Sequence, residues 1–315
     1  MSLPDGLAED LGAEVASAQQ ISGGSINEAW RVELADGRTA FVKARADAAP
    51  GEFAAEAAAL RWLAEPGRVR VPSVLAVGDG DAGGVHVAGD GDVSPARVDA
   101  PGAARSGSRF LALEWVQPGS LTDAGAEALG RGLARLHAAG APAFGAFRDG
   151  GEALRIGPLV FDVTPDDDWP AFYAERLLRP LLAPAVDRGA LSAGAARAVE
   201  RVCERLPELA GPAEPPARLH GDLWSGNVLA GADGSASLID PAAYGGHREV
   251  DLAMLRLFAV PSPRILAAYE EAAPLAPGHA DRLALWQLFP LLVHTVLFGG
   301  GYGGSVEEVA RRYAG

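Results

Sequence analysis

His220-Gly221-Asp222-Leu223-Trp224-Ser225-Gly226-Asn227, followed after a short interval by Leu238-Ile239-Asp240-Pro241, is the stretch that decides how this chain is read. Asp222 and Asn227 stand five positions apart and Asp240 follows an apolar pair, so three oxygen-bearing side chains are expected to converge from two neighbouring segments. That layout suits phosphoryl transfer. The reaction asks little covalent chemistry of the protein, but it needs an acceptor hydroxyl oriented and the triphosphate charge neutralised by bound cations. Asp222 fits the first task as proton acceptor; Asn227 and Asp240 fit the second as ligands of Mg²⁺, which takes few protein ligands.

The surrounding 315 residues are enough for one large or two ordinary domains. With 49% hydrophobic and 22% charged residues the composition is that of a folded globular chain. A formal net charge of -14 argues against a nucleic-acid or anionic-membrane surface, since both depend on basic patches. It does not exclude ATP, which is held by local amides, one Lys and cations. The single cysteine, Cys203, rules out an internal disulfide and agrees with a cytoplasmic setting. No basic segment followed by an apolar one opens the chain, so no signal peptide is expected. The longest apolar run, Leu283 to Phe298, contains Gln287, Pro290 and His294 and is too short to span a membrane; it predicts a buried helix kinked at Pro290.

Pattern along the chain predicts an α+β protein in two lobes. Ala18 to Val42 alternates like an antiparallel meander, with turns at Ser22-Gly23-Gly24-Ser25 and Asp36-Gly37. Glu52 to Ala64 has helical composition, with Phe53, Ala57, Leu60 and Leu63 on one face. Val74 to Val77 and Phe110 to Val116 predict two further strands. Residues 1-115 thus form an N-terminal lobe of antiparallel sheet plus helix. Residues 116-315 form a mainly helical C-terminal lobe, with helices expected at Ala124–Ala139, Trp169–Leu182, Ala190–Leu206, Val250–Leu257, Pro263–Ala272 and Ala280–Phe298. Residues 78-108, rich in Gly, Asp, Ala and Pro, predict a flexible insertion with no chemistry of its own. The active cleft is expected between the lobes.

Lys43 ends an apolar strand and Glu56 lies thirteen residues further on, within the helix. A strand Lys paired to a helix Glu sets one fixed cation against the nucleotide phosphates, as in kinases, whose catalytic loop also has the H-x-D-x-x-x-x-N spacing seen here. Glu52 competes with Glu56 for Lys43. Glycines at 23 and 24, with Ser25, would let backbone amides approach phosphates, although the turn lacks a full G-x-G-x-x-G pattern. Glu114, Trp115 and Val116 occupy the expected hinge, where backbone groups would read the adenine edge. His220 fits a brace of the catalytic loop better than a base, and His137 fits a structural helix residue. Asp251 reads equally as a helix N-terminal charge and as an anchor for the catalytic loop.

Asp166-Asp167-Asp168-Trp169-Pro170-Ala171-Phe172-Tyr173, the Leu-Trp-Ser-Gly-Asn end of the loop, and Ile239 to Glu249 resemble the fructosamine/ketosamine-3-kinase family, related to aminoglycoside phosphotransferases. The resemblance covers nearly the whole chain apart from residues 78-108. It implies a protein-kinase-like fold and ATP-dependent phosphorylation of the 3-hydroxyl of ketosamines, either small molecules or glycated proteins. The 3-phosphate then decomposes, which frees the amine and makes the activity a deglycation repair. Trp224, Asp168 and Trp169 are candidates for shaping the sugar pocket. Many family members carry a phosphate-loop Cys linked to dimerisation; Ser25 stands there in this chain, so a monomer is expected, with a dimer as the alternative. The H-G-D core alone would also fit an aminoglycoside or choline kinase, and a nucleotide-binding pseudokinase scaffold is the rival of another class.

Overall fold

The computed structural model describes residues 3–21, 27–78, 109–145, 154–259 and 262–315. A short helix α1 (Leu7–Leu11) precedes the meander β1 (Val15–Ile21), β2 (Glu28–Leu34) and β3 (Thr39–Arg45). Helix α2 (Glu52–Ala64), β4 (Val74–Gly78) and β5 (Arg109–Glu114) complete the N-terminal lobe. The five strands lie in the order β1-β2-β3-β5-β4, every neighbour antiparallel. Gly37, at φ 88°, closes the β2–β3 hairpin in a conformation that a side chain would resist.

Alternation along the strands sorts their side chains between two faces. Val32, Val42, Phe110 and Ala112 pack with Leu7 and Leu11 of α1 on one face. Leu111 and Leu113 pack on the other against Phe53, Ala57 and Leu60, the apolar stripe of α2. Lys43 is the register partner of Leu111, so it stands on the α2 side of the sheet. Glu56, one helical turn after Phe53, lies beside that stripe. The strand period and the helix period together bring the two charges within reach.

The C-terminal lobe begins with α3 (Asp123–Ala138) and a hairpin of β6 (Leu154–Ile156) and β7 (Leu159–Phe161). Helix α4 (Trp169–Phe172) runs through a π-helical stretch, Tyr173–Leu178, into α5 (Arg179–Asp187), and α6 (Ala193–Leu209) follows. Four short strands, β8 (Ala217–Leu219), β9 (Val228–Ala230), β10 (Ala236–Leu238) and β11 (Tyr244–Gly246), carry the catalytic segment as the antiparallel pairs β8·β11 and β9·β10. The chain ends in α7 (Glu249–Leu255), α8 (Pro263–Ala272), α9 (His279–Trp286), α10 (Leu288–Phe298) and α11 (Tyr302–Tyr313). Among the described residues no helix is long and apolar enough to cross a membrane. Residues 79–108 of the expected insertion lie outside the described residues; Gly78 belongs to β4.

The expected single helix from Ala280 to Phe298 is instead two, and the break falls at Gln287 rather than at Pro290. Pro290 sits in the first turn of α10, where a missing N–H has no intrahelical partner to lose. The break has a physical cause in the π-helical stretch. Tyr173 Oη donates towards the carbonyls of Trp286 (3.1 Å) and Leu285 (3.3 Å) and accepts from the Phe289 N–H (3.2 Å). One buried hydroxyl thus satisfies groups that the interrupted helix leaves open. Tyr173→Phe is expected to cost about 1–3 kcal/mol of unfolding free energy, measured by urea denaturation, because it orphans those groups in the core.

Candidate active site

Lys43 Nζ lies 2.6 Å from Glu56 Oε2 and 2.8 Å from Asp240 Oδ1, a bridge from the sheet to the loop after β10. Glu52 does not compete, because Arg45 takes its carboxylate at 2.6 Å and also donates to Asn27 Oδ1 at 3.1 Å. Two neighbouring acidic residues of α2 are therefore sorted between two cations. Asp240 has φ 52°, and no other non-glycine described residue has a positive φ. An Asp tolerates that region at a modest cost, and here the turn aims its half-exposed carboxylate into the cleft.

The catalytic loop hangs from Asp251. This fully buried carboxylate accepts the backbone N–H groups of His220 (2.7 Å) and Gly221 (2.9 Å), and His137 Nε2 lies 3.2 Å away. His137 in turn contacts Tyr269 Oη at 2.8 Å. Both readings of Asp251 hold, since it lies in the first turn of α7 and anchors the loop. Gly221 is required at its position: φ is 81°, and a Cβ would come 1.8 Å from the Ala242 carbonyl oxygen. His220 is the expected brace, with Nε2–H donating to the Ile239 carbonyl (3.0 Å) and Nδ1 accepting from the Asp222 N–H (3.3 Å). A 3₁₀ turn, Ser225–Asn227, brings Asn227 back to Asp222, where Nδ2 donates to the main-chain oxygen (2.8 Å) and to Oδ2 (3.1 Å). That leaves Asn227 Oδ1 without a protein partner among the described residues.

Burial governs the charges. It pushes Asp222 up to about 7, against the hydrogen bond from Asn227 and with the help of Asp240 and Asp251. It likewise pushes Glu56 up to about 7 in spite of Lys43, and Glu56 Oε1 is buried without a hydrogen-bond partner. Burial opposes the charge on Lys43, yet Glu56 and Asp240 hold its pKa above the ordinary value. Burial would also raise Asp240, but Lys43 draws it below the usual carboxylate range.

These groups face an interlobe cleft of about 830 Å³. Phe41, Leu113, Trp115, Val116 and Leu229 line one half, and Trp224, Met254, Val293, His294 and Phe298 line the other. At the hinge the Glu114 side chain turns outward, 3.8 Å from Arg70. The N–H groups of Glu114 and Trp115 are committed to the carbonyls of Ser73 (2.8 Å) and Thr39 (3.3 Å), which leaves Val116 N–H unbonded among the described residues. Gly23, Gly24 and Ser25 lie outside the described residues.

Trp224 lines the cleft at 38% exposure. Gly226 permits this, since a Cβ there would sit 2.2 Å from the indole. Asp168 and Trp169 do not join it. Asp168 caps α4 by accepting the Ala171 N–H at 2.8 Å, and Trp169 is buried among Phe144, Tyr173 and Trp286. Neither residue lines the cleft: Asp168 is an exposed helix cap and Trp169 belongs to the core. The segment around Glu249 is also structural, with Glu249 accepting two hydrogen bonds from Arg282 (2.9 and 2.6 Å) and one from Trp286 Nε1 (2.8 Å). Phe258, His294 and Phe298, grouped beside Trp224, were not singled out by the sequence as site residues; the i,i+4 spacing of His294 and Phe298 within an apolar run gave no sign of exposure.

A sequence profile described as "Fructosamine kinase" matches residues 5–314. The chain belongs to the fructosamine kinase family. "Probable ketoamine kinase YniA" of Escherichia coli K12 is 35% identical over 297 residues, 93% of this chain and 92% of that protein. The crystal structure of a candidate fructosamine-3-kinase from Thermobifida fusca superposes with a TM-score of 0.81 at 44% identity, covering 96% of this chain and 95% of that one. A thermostable mutant of aminoglycoside phosphotransferase APH(4)-Ia, at 18% identity and a TM-score of 0.58 over 98% of each chain, shares the fold. The α+β, protein-kinase-like two-lobe architecture is thus that of the fructosamine kinase family.

A raised folded-state pKa means that Asp222 binds its proton more tightly folded than unfolded, so stability falls as pH rises from the unfolded carboxylate range through about 7. Asp222→Asn removes that ionisation and is expected to raise the Tm of the nucleotide-free protein by about 2–6 °C at pH 8, and by much less at pH 5. Calorimetry at the two pH values checks it; an unchanged or lowered Tm at pH 8 would contradict the burial argument.

Proposed function

We propose that this protein is a ketosamine-3-kinase, transferring the γ-phosphoryl group of ATP to the sugar 3-hydroxyl of fructosamines or ribulosamines. Family membership supports the reaction class, and one observation carries the assignment to these residues: Lys43–Glu56, Asp240, Asp222 and Asn227 meet in one cleft.

In this reading Asp222 accepts the hydroxyl proton as the oxygen attacks phosphorus, since the buried carboxylate, near pKa 7, holds a proton more readily than an exposed one. Asn227 aligns that carboxylate through its amide N–H. Lys43, kept charged by Glu56, pairs with the α and β phosphates, and the Val116 N–H reads the adenine edge. Trp224 walls the sugar site. Trp169 supports that region only through the core, and Asp168 only as the exposed cap of α4.

The donor set suits Mg²⁺. Asn227 Oδ1 has no protein partner among the described residues and the Asp240 carboxylate is half exposed, two hard oxygen ligands for an ion that retains waters and phosphate oxygens. Among the described residues there is no cluster of three or more His, Cys, Asp or Glu that could hold a metal ion. When bound, the ion neutralises phosphate charge.

We further infer a deglycation role in the cytoplasm, with small ketosamines or glycated proteins as acceptors, and a monomeric enzyme. ADP release is to be measured with Mg-ATP across fructoselysine, ribuloselysine, free sugars and an aminoglycoside. Turnover is expected for the ketosamines; turnover of the aminoglycoside alone would overturn the assignment, and nucleotide binding without any turnover would make the chain a scaffold. Asp222→Asn is expected to lower kcat by at least about 10²-fold with Mg-ATP affinity retained.

A further inference from the structure

Four large hydrophobic side chains are exposed among the described residues, and three of them, Trp224 (38%), Phe258 (44%) and Phe298 (59%), belong to one connected strip. Trp224 meets Phe258 edge-on at 6.1 Å between ring centroids. Phe258 meets His294 at 5.3 Å, and His294 meets Phe298 at 5.4 Å and Tyr302 at 5.0 Å. The strip begins inside the cleft that holds Asp222, since Trp224, His294 and Phe298 all line it.

Local structure holds the strip in place. His294 and Phe298 are four residues apart on α10 and therefore share a helix face. Gly299 and Gly300, at φ 62° and 61°, turn the chain directly after Phe298, so that α11 returns with Tyr302 against the imidazole. The His294 ring lies 2.7 Å from the Pro290 carbonyl through Nδ1. A carbonyl only accepts, so Nδ1 carries the proton and Nε2 is left as an acceptor without a partner among the described residues. Exposed rings gathered at the mouth of a catalytic cleft, with one acceptor among them, describe a binding wall rather than leftover core.

We propose that this strip is the subsite for the amine-borne part of the acceptor, and that it selects ketosamines whose nitrogen carries an aromatic or bulky apolar group. The inference rests on the ketosamine reading. In a ketosamine the nitrogen is three bonds from the carbon bearing the reacting hydroxyl. With that hydroxyl at Asp222, the substituent on nitrogen leaves the sugar beside Trp224 and runs out along Phe258, His294 and Phe298. Ring faces attract the protonated secondary amine, and His294 Nε2 accepts one of its N–H bonds. An aromatic substituent gains edge or stacking contacts that a methyl group lacks.

The test compares the fructosyl conjugates of benzylamine and methylamine, which share the sugar and the nitrogen, by ADP release with Mg-ATP. Wild type is expected to show a KM for the benzyl conjugate about tenfold lower, with a smaller difference in kcat. Phe298→Ala and Phe258→Ala are each expected to shrink the KM ratio by about twofold to tenfold. Both rings are exposed, Phe258 at 44% and Phe298 at 59%, and thermal melting verifies folding; if either variant fails to fold, the wild-type ratio and the remaining variant still decide. Equal KM values in wild type, or a preference that survives both substitutions, would overturn the subsite while leaving ketosamine kinase activity standing. Absence of turnover with both conjugates would overturn the ketosamine reading and the subsite with it.

Discussion

The carboxylate of Asp251 has no exposure to water, and so each of its oxygens needs a donor from the protein. It finds them in two consecutive backbone N–H groups, at His220 and Gly221, and in His137. Burial alone would make this carboxyl easier to protonate; the hydrogen bond and charge of His137, with His220 and the Gly221 amide, pull it below the ordinary range instead. A fixed anion therefore sits under the loop, bonded to the amides one and two residues before Asp222. The direction in which the chain leaves β8 follows from that anchor, and Gly221 is the residue that can make the turn against Ala242. Once the turn is made, His220 ties the loop to the Ile239 carbonyl, which links the Asp222 and Asp240 segments.

The same constraint shapes how the site joins the two lobes. The C-terminal lobe presents Asp240 on a rigid loop, and the N-terminal lobe presents Lys43 from a central strand of the sheet, held by Glu56. Neither Lys43 nor Asp240 is rigid by itself; each is positioned by a partner in its own lobe. A bridge of this kind resists salt and solvent better than a surface pair, because Lys43 and Glu56 are largely buried. Its weakness is that burial works against both charges, which is why Glu56 is drawn towards neutrality and one of its oxygens goes unpaired.

Much of this was legible in the residues, for reasons that can be named. Phe53, Ala57 and Leu60 report the buried stripe of α2, and a Glu one turn along from a buried Phe faces the sheet. The spacing of Asp222, Asn227 and Asp240 was visible because catalytic geometry here is local in sequence. Three features were not legible. The β6–β7 hairpin is two strands of three residues around Gly157-Pro158, shorter than any periodic pattern can signal, although the Gly-Pro turn between Leu-Arg-Ile and Leu-Val-Phe was a clue. The break at Gln287 depends on Tyr173, more than a hundred residues away, and a Pro three positions later draws attention to the wrong place. Asp168 and Trp169 stood out because they are unusual, and an unusual residue in a core looks the same in one dimension as an unusual residue in a pocket.

That ambiguity between core and pocket bears on how specificity is built in this fold. The residues by which the chain resembles its family, around Trp169 and from Tyr244 to Glu249, are buried. They hold Trp286 and His247 in one aromatic cluster, with Glu249 and Arg282 satisfied inside it. Such a cluster is intolerant of change, because its charged members have no water to fall back on. The acceptor wall is the opposite: Trp224, Phe258 and Phe298 touch solvent, and substitution there removes contact area without opening a cavity. The loop and its scaffold are therefore hard to alter, whereas the exposed rings can change without disturbing the core. On the proposed reading, acceptor choice is set at these rings, and of the segments by which the chain resembles its family only Trp224 stands among them.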